Sequence, residues 1–194
     1  MTTLRTFIAI ELDARCKSGL GHLQERLRDQ VPPRSVRWVQ PEGIHLTLKF
    51  LGDTPVEKVD EVQSALARAA AQVGPFPFTL GGLGCFPNNR QPRVVWVGVQ
   101  EPAGALACLQ KAVEDCVAPL GFPTEQRPFN PHLTLGRVQR YASKSEVRQI
   151  GEVVAASVVG TIGEMTATVV SYIKSDLRPN GAVYTTLFEA NLCS

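Results

Sequence analysis

Ile44-His45-Leu46-Thr47-Leu48 returns almost unchanged as Pro131-His132-Leu133-Thr134-Leu135, with the two histidines 132 − 45 = 87 residues apart. The segments around it recur at nearly the same offset. A strand-like run at 6–12 is echoed at 94–99, and a run at 78–83 is echoed at 166–173, each about 88 residues later. Elements that recur in order and spacing mark a structural repeat. The chain therefore reads as one domain over 1–194, built from two repeats of about 1–88 and 89–194.

Between the strands lie apolar residues at helical spacing. Leu20, Leu23 and Leu27 form one stripe; Val59, Val62 and Leu66 a second; Leu106, Leu109 and Val113 a third; and Val147, Ile150 and Val154 a fourth. Thr54-Pro55-Val56-Glu57 and Ser143-Lys144-Ser145-Glu146 read as capping boxes at corresponding places, the first with Pro at the opening helical position. Each half then runs strand, helix, HLTL strand, helix, strand. A final strand is expected over 182–191, after the turn signal Arg178-Pro179-Asn180-Gly181. The glycine-rich stretch 81–93 at the join reads as a loop. The expected fold is α+β: two pseudo-symmetric lobes, each an antiparallel sheet packed on helices, with a cleft between them.

Strand alternation assigns the faces. His45 and Thr47 share one side, with Leu46, Leu48 and Phe50 on the other; His132 and Thr134 share a side opposite Leu133 and Leu135. If the lobes face each other about a pseudo-twofold axis, two imidazoles and two hydroxyls converge. That set suits metal-free hydrolysis of a phosphodiester. One neutral imidazole takes a proton from water, one imidazolium protonates the leaving oxygen, and the hydroxyls bind phosphate oxygens. Histidine's ordinary pKa of ~6.5 allows both forms near neutrality. The residues alone leave the two histidines interchangeable. His22, beside the first helical stripe, reads as a surface residue.

Composition narrows the classes. The chain has 194 residues, 44% hydrophobic and 20% charged, which is ordinary globular usage and argues against disorder. Net charge of +2 does not describe a protein that coats nucleic acid. Among the basic residues, 14 Arg outnumber 6 Lys, which is compatible with a phosphate-bearing ligand. No apolar run reaches the ~18 residues of a membrane span, and Met1–Arg5 leads into a strand rather than a signal peptide. Five cysteines without a C-x-x-C pair point to reduced thiols and a cytoplasmic setting. The HLTL strands carry no Asp, Glu or Cys beside His, so no metal site and no cofactor is expected. No phosphate-cradling glycine motif followed by Lys-Ser/Thr is present either.

Beyond the motif pair, several segments stand in a telling order. They are Arg5-Thr6-Phe7-Ile8-Ala9-Ile10, Trp38-Val39, the run from Gly43 to Gly52, Cys85-Phe86-Pro87, Pro92 to Val99, Phe129 to Arg137, and Gly181-Ala182-Val183-Tyr184. This collection resembles the 2H phosphoesterase superfamily, and within it the RNA 2′,3′-cyclic phosphodiesterases, also called 2′-5′ RNA ligases. The resemblance covers nearly the whole chain. It implies hydrolysis of a terminal 2′,3′-cyclic phosphate on RNA to a 2′-phosphomonoester, with reverse 2′-5′ ligation as a side activity. By motif position it makes His45 the proton donor to the 3′-oxygen and His132 the base that activates water. Thr47 and Thr134 would bind phosphate oxygens, and Arg137 phosphate or ribose. Arg137 has the wrong parity for the histidine face on a regular strand, and Gly136 marks a bulge that could redirect it. Phe7 is a candidate to stack on the terminal base, or a core aromatic.

Three other classes stay open on the residues: an RNA-binding module without chemistry, a metal-dependent hydrolase, and a 2H enzyme acting on another cyclic phosphate, such as a nucleotide or ADP-ribose derivative. Arg90, Arg93 and Arg127 sit in loops that suit further phosphates or simply face water. No dimer interface is signalled, so a monomer is expected.

Overall fold

Leu20, Leu23 and Leu27 are all buried, and so are Leu106, Leu109 and Val113, because each stripe lies on the inward face of a helix. The computed structural model describes residues 2–178 and 181–193. In chain order these form β1 (Thr3–Glu11), α1 (Ala14–Arg28), β2 (Val36–Trp38), β3 (His45–Pro55), α2 (Val59–Ala70) and β4 (Phe76–Phe86). There follow β5 (Val94–Gln100), α3 (Ala105–Val117), β6 (His132–Val138), α4 (Lys144–Ala156), β7 (Thr161–Ala167), β8 (Val169–Arg178) and β9 (Gly181–Asn191).

The strands make two antiparallel sheets, ordered β3-β1-β8-β9 and β2-β6-β5-β4-β7. The α+β reading with two lobes holds, but the repeats exchange parts. β4 leaves the first repeat to pair with β5, and β8 returns from the second to pair with β1. Helices are exchanged as well: α2 and α3 back the first sheet, whereas α1 and α4 pack on β7 and β4 of the second. Each sheet is thus covered by one helix from each repeat. One apolar core consequently runs through both lobes, from Ile8 and Leu46 to Leu133 and Ile150.

Several sequence expectations are corrected. The 166–173 run is two strands, since the chain breaks at Thr168 between β7 and β8. The 81–93 stretch is not all loop, because β4 continues to Phe86. Its glycines serve close packing there: a Cβ on Gly84 would overlap the Trp96 indole laid across it. The box at Thr54 does not form. β3 extends through Pro55, Thr54 is buried with its Oγ1 2.7 Å from Thr6 Oγ1, and a 3₁₀ turn at Val56–Lys58 precedes α2. The second box is complete: the Glu146 amide donates to Ser143 Oγ and the Ser143 amide to Glu146 Oε2. Strand β9 occupies the expected place, while Pro179 and Asn180 of the turn signal lie outside the described residues.

Candidate active site

Both HLTL strands start at their histidine and lie next to β1 or β5 in matching register. Thr47 opposes Ala9 and Thr134 opposes Trp96, so strand and partner repeat at one offset, 134 − 47 and 96 − 9, both 87. Leu46, Leu48, Leu133 and Leu135 are buried as alternation requires. The histidines and threonines are partly exposed on the opposite faces. β3 and β6 meet across the lobe junction, with Cα atoms of the two strands within 8 Å.

Each imidazole is held in the same way. His45 Nδ1 lies 2.9 Å from the Gly43 carbonyl, and His132 Nδ1 lies 2.7 Å from the Asn130 carbonyl. A carbonyl only accepts, so Nδ1–H donates in both rings and Nε2 is left for chemistry. The surroundings then differ. His45 stacks on Phe7 at 4.4 Å between ring centroids and meets Tyr184 edge-on at 5.1 Å. Burial between these rings pushes its pKa down to about 4, against smaller upward pulls from the Gly43 carbonyl and Glu11. His132 meets the Phe86 ring edge-on at 4.8 Å.

Both strands carry a bulge just past the threonine. In β3 the register slips at Leu48, and in β6 at Leu135. The slip at Leu135 brings Arg137 opposite Val94. Val94 and Trp96 share a face of β5, so Arg137 joins Thr134 and His132, as the bulge at Gly136 suggests. The equivalent slip in β3 overturns the expected face of Phe50. It stands opposite Phe7, 6.1 Å away between centroids, and is 65% exposed. Phe7 itself is 3% exposed, with its ring against His45. Phe50 is more open than Phe7 at this edge.

The sequence profile of the LigT like phosphoesterases matches this chain twice, over residues 10–96 and 97–184. The chain belongs to that family. The tandem match agrees with the internal repeat. This phosphoesterase is 33% identical to the RNA 2′,3′-cyclic phosphodiesterase of Methanothermobacter thermautotrophicus, covering 94% of this chain and 95% of the relative. It is 32% identical to the protein of that name from Archaeoglobus fulgidus, over 93% of this chain and 96% of the other. A solved protein of Thermus thermophilus superposes with a TM-score of 0.80 at 28% identity, covering 97% and 98% of the two chains. The crystal structure of Escherichia coli LigT complexed with 3′-AMP superposes at 0.78 with 26% identity, covering 99% of each.

Three features of the phosphoesterase site went unread in the sequence. Tyr184 comes from β9 to cover His45; burial pushes its hydroxyl pKa up, against the fields of Arg137 and Arg5. Lys49, which follows the first bulge, is buried and reaches Glu114 of α3 and the Pro123 carbonyl, both at 2.6 Å. That pair ties the first HLTL strand to the segment delivering His132. Arg37 of β2 stands directly opposite Arg137. His22 is exposed on α1, and Arg90, Arg93 and Arg127 are exposed on their loops, with Arg127 paired to Glu125 at 3.0 Å. Among the described residues no three of His, Cys, Asp and Glu are grouped to hold a metal ion, and no helix is long and apolar enough to cross a membrane. A concavity of about 450 Å³ near Thr79 and Gln100 is rimmed by Glu101 and Glu164, which disfavours an anion.

Proposed function

We propose that this phosphoesterase hydrolyses the terminal 2′,3′-cyclic phosphate of RNA to a 2′-phosphomonoester by metal-free acid–base catalysis between His45 and His132. The observation that carries the reading is the matched pair of imidazoles, each with Nδ1–H committed to a carbonyl two residues back and Nε2 left over. His132 Nε2 takes a proton from the attacking water while the new P–O bond forms. His45 Nε2–H gives a proton to the 3′-oxygen as the P–O3′ bond breaks, so charge and protons balance. Thr47, Thr134 and Arg137 bind the phosphate oxygens on which charge shifts. Phe7 serves beneath His45 as the ring that positions it.

In the free enzyme His45 is neutral at pH 7, since its pKa is about 4. The substrate supplies the missing favourable charge. A phosphodiester anion beside Nε2 stabilises the imidazolium, and the apolar walls that depress the free pKa strengthen that coupling. A 5′-hydroxyl in place of water, deprotonated by His132 while His45 protonates the departing 3′-oxygen, would give a 2′-5′ linkage by the same proton transfers. The thiols Cys16, Cys85, Cys108 and Cys116 suit a reducing cytoplasm, where we place a monomeric enzyme.

The test is a short RNA ending in 2′,3′-cyclic phosphate, incubated with protein in excess EDTA, with end groups resolved by chromatography. Conversion to the 2′-phosphate is expected, with His45→Ala and His132→Ala each slowing it by about 10²–10⁴-fold. Conversion that stops in EDTA and returns with a divalent ion contradicts the metal-free reading.

A further inference from the structure

β2 is only three residues long, yet it is firmly held. The Val39 amide donates to the Leu135 carbonyl at 2.9 Å, and the Gln139 amide to the Ser35 carbonyl at 2.8 Å. Buried Gln24 of α1 donates to the Val39 and Leu135 carbonyls at 2.7 and 2.8 Å. Val36 and Trp38 lie over Gly136, where a Cβ would come within 2.6 Å of the Val36 side chain. This packing points the intervening residue, Arg37, to the other face.

On that face Arg37 is in direct register with Arg137. Directly opposed residues of an antiparallel pair share a face with Cβ atoms about 5 Å apart. Arg137 lies on the face of His132 and Thr134, so Arg37 does too. Like charges set opposite one another are destabilising unless something neutralises them. Among the described residues neither guanidinium forms an ion pair or a side-chain hydrogen bond. Both are exposed, and β2 is the edge strand, so the pair opens outward from the histidines along the sheet rim.

We propose that Arg37 is a substrate-binding residue: it holds the phosphodiester 5′ to the terminal nucleotide, while Arg137 serves the terminal group. Two planar guanidinium forks on neighbouring strands match two successive phosphates of one RNA strand. This rests on the function proposed above and deepens it, because it makes the enzyme selective for RNA ends over free cyclic mononucleotides. The phosphate contact adds affinity and register without reading bases.

The experiment compares kcat/KM for a 2′,3′-cyclic mononucleotide with that for a pentanucleotide ending in the same cyclic phosphate. Arg37→Gln is expected to lower the pentanucleotide-to-mononucleotide ratio about tenfold, the effect of losing one charge-assisted contact. Arg37→Lys restores part of it. The salt slope of pentanucleotide affinity should fall by about 0.7 in the Gln variant, one single-strand phosphate contact. A pentanucleotide with a neutral methylphosphonate at the last linkage should cost the wild type about as much as Arg37→Gln does, with no further loss in the variant. An unchanged ratio, or losses that simply add, overturns the assignment. If the wild type hydrolyses neither substrate, the proposed activity fails on its own. The arginine pair is then judged by fluorescence anisotropy of a labelled 2′-phosphate pentanucleotide: about tenfold weaker binding by Arg37→Gln sustains it, and equal binding overturns it.

Discussion

The two HLTL strands have the same backbone and different surroundings. Each histidine donates from Nδ1 to the carbonyl two residues back, each threonine follows on the same face, and each strand bulges one turn of the pleat later. Beyond that, they part. His45 is closed between Phe7 and Tyr184 and its pKa is pushed down to about 4, whereas His132, among the described residues, has one aromatic ring contact, the edge of Phe86. After the bulge the first strand presents Lys49 and exposed Phe50 where the second presents Gly136 and Arg137. The repeat gives both strands the same local histidine–threonine geometry. The side chains around the first histidine then bury it and lower its proton affinity.

The largest expected change in stability lies at the bulge. Lys49 is buried in its pair with Glu114, and Gly136 needs no such partner. Lys49→Met leaves the Glu114 carboxylate buried and uncompensated, so unfolding in denaturant should show a loss of about 3–5 kcal/mol. Adding Glu114→Leu should recover much of it. A loss no larger than that of an exposed pair would mean Lys49 does not anchor α3 to the first sheet.

The contrast in burial is sharpened by pH. An unfolded His45 titrates near ~6.5 and the folded one at about 4, so between these values the unfolded chain binds more protons. Stability from this group is therefore complete above the unfolded value and falls as pH drops towards 4, by at most about 1.4 kcal/mol per pH unit. Tyr184→Ala opens the ring to water. Its NMR titration should then move up towards the ordinary histidine value, and the stability profile should flatten in the same window. No movement would show that Tyr184 does not contribute to the burial that depresses His45.

The smallest effect concerns the two helix entries. Ser143→Ala removes a working cap and should cost about 1 kcal/mol, with faster amide exchange in the first turn of α4. Thr54 caps nothing, so Thr54→Val should leave α2 exchange unaltered and lose its hydrogen bond to Thr6 and its interaction with the buried Tyr172 hydroxyl.

What the sequence disclosed follows from how local each signal is. The period of two placed His45, Thr47, His132 and Thr134 on their faces, and the helical stripes located all four helices. Gly136 betrayed its bulge, because glycine inside a strand marks a bend or a close approach. Leu48 and Lys49 carry no such mark, so the matching slip in β3, and with it the true face of Phe50, was invisible. The Thr54 box satisfied the local pattern of a cap but lost to the strand pairing of β3 with β1. Exchange of β4 and β8 between lobes leaves no local trace, since each strand reads the same in either sheet. Tyr184 reaches the site through the pairing of β9 with β8, and Arg37 through that of β2 with β6.

We propose that the equivalent histidines do different jobs, His45 as proton donor and His132 as base. A cyclic substrate whose 3′-oxygen is replaced by sulfur tests it directly, because a thiolate leaves without being protonated. On this substrate His45→Ala should regain most of the rate it loses with oxygen, and His132→Ala should regain little. Rescue of His132→Ala instead would reverse the assignment, and equal rescue of both would contradict the division of labour.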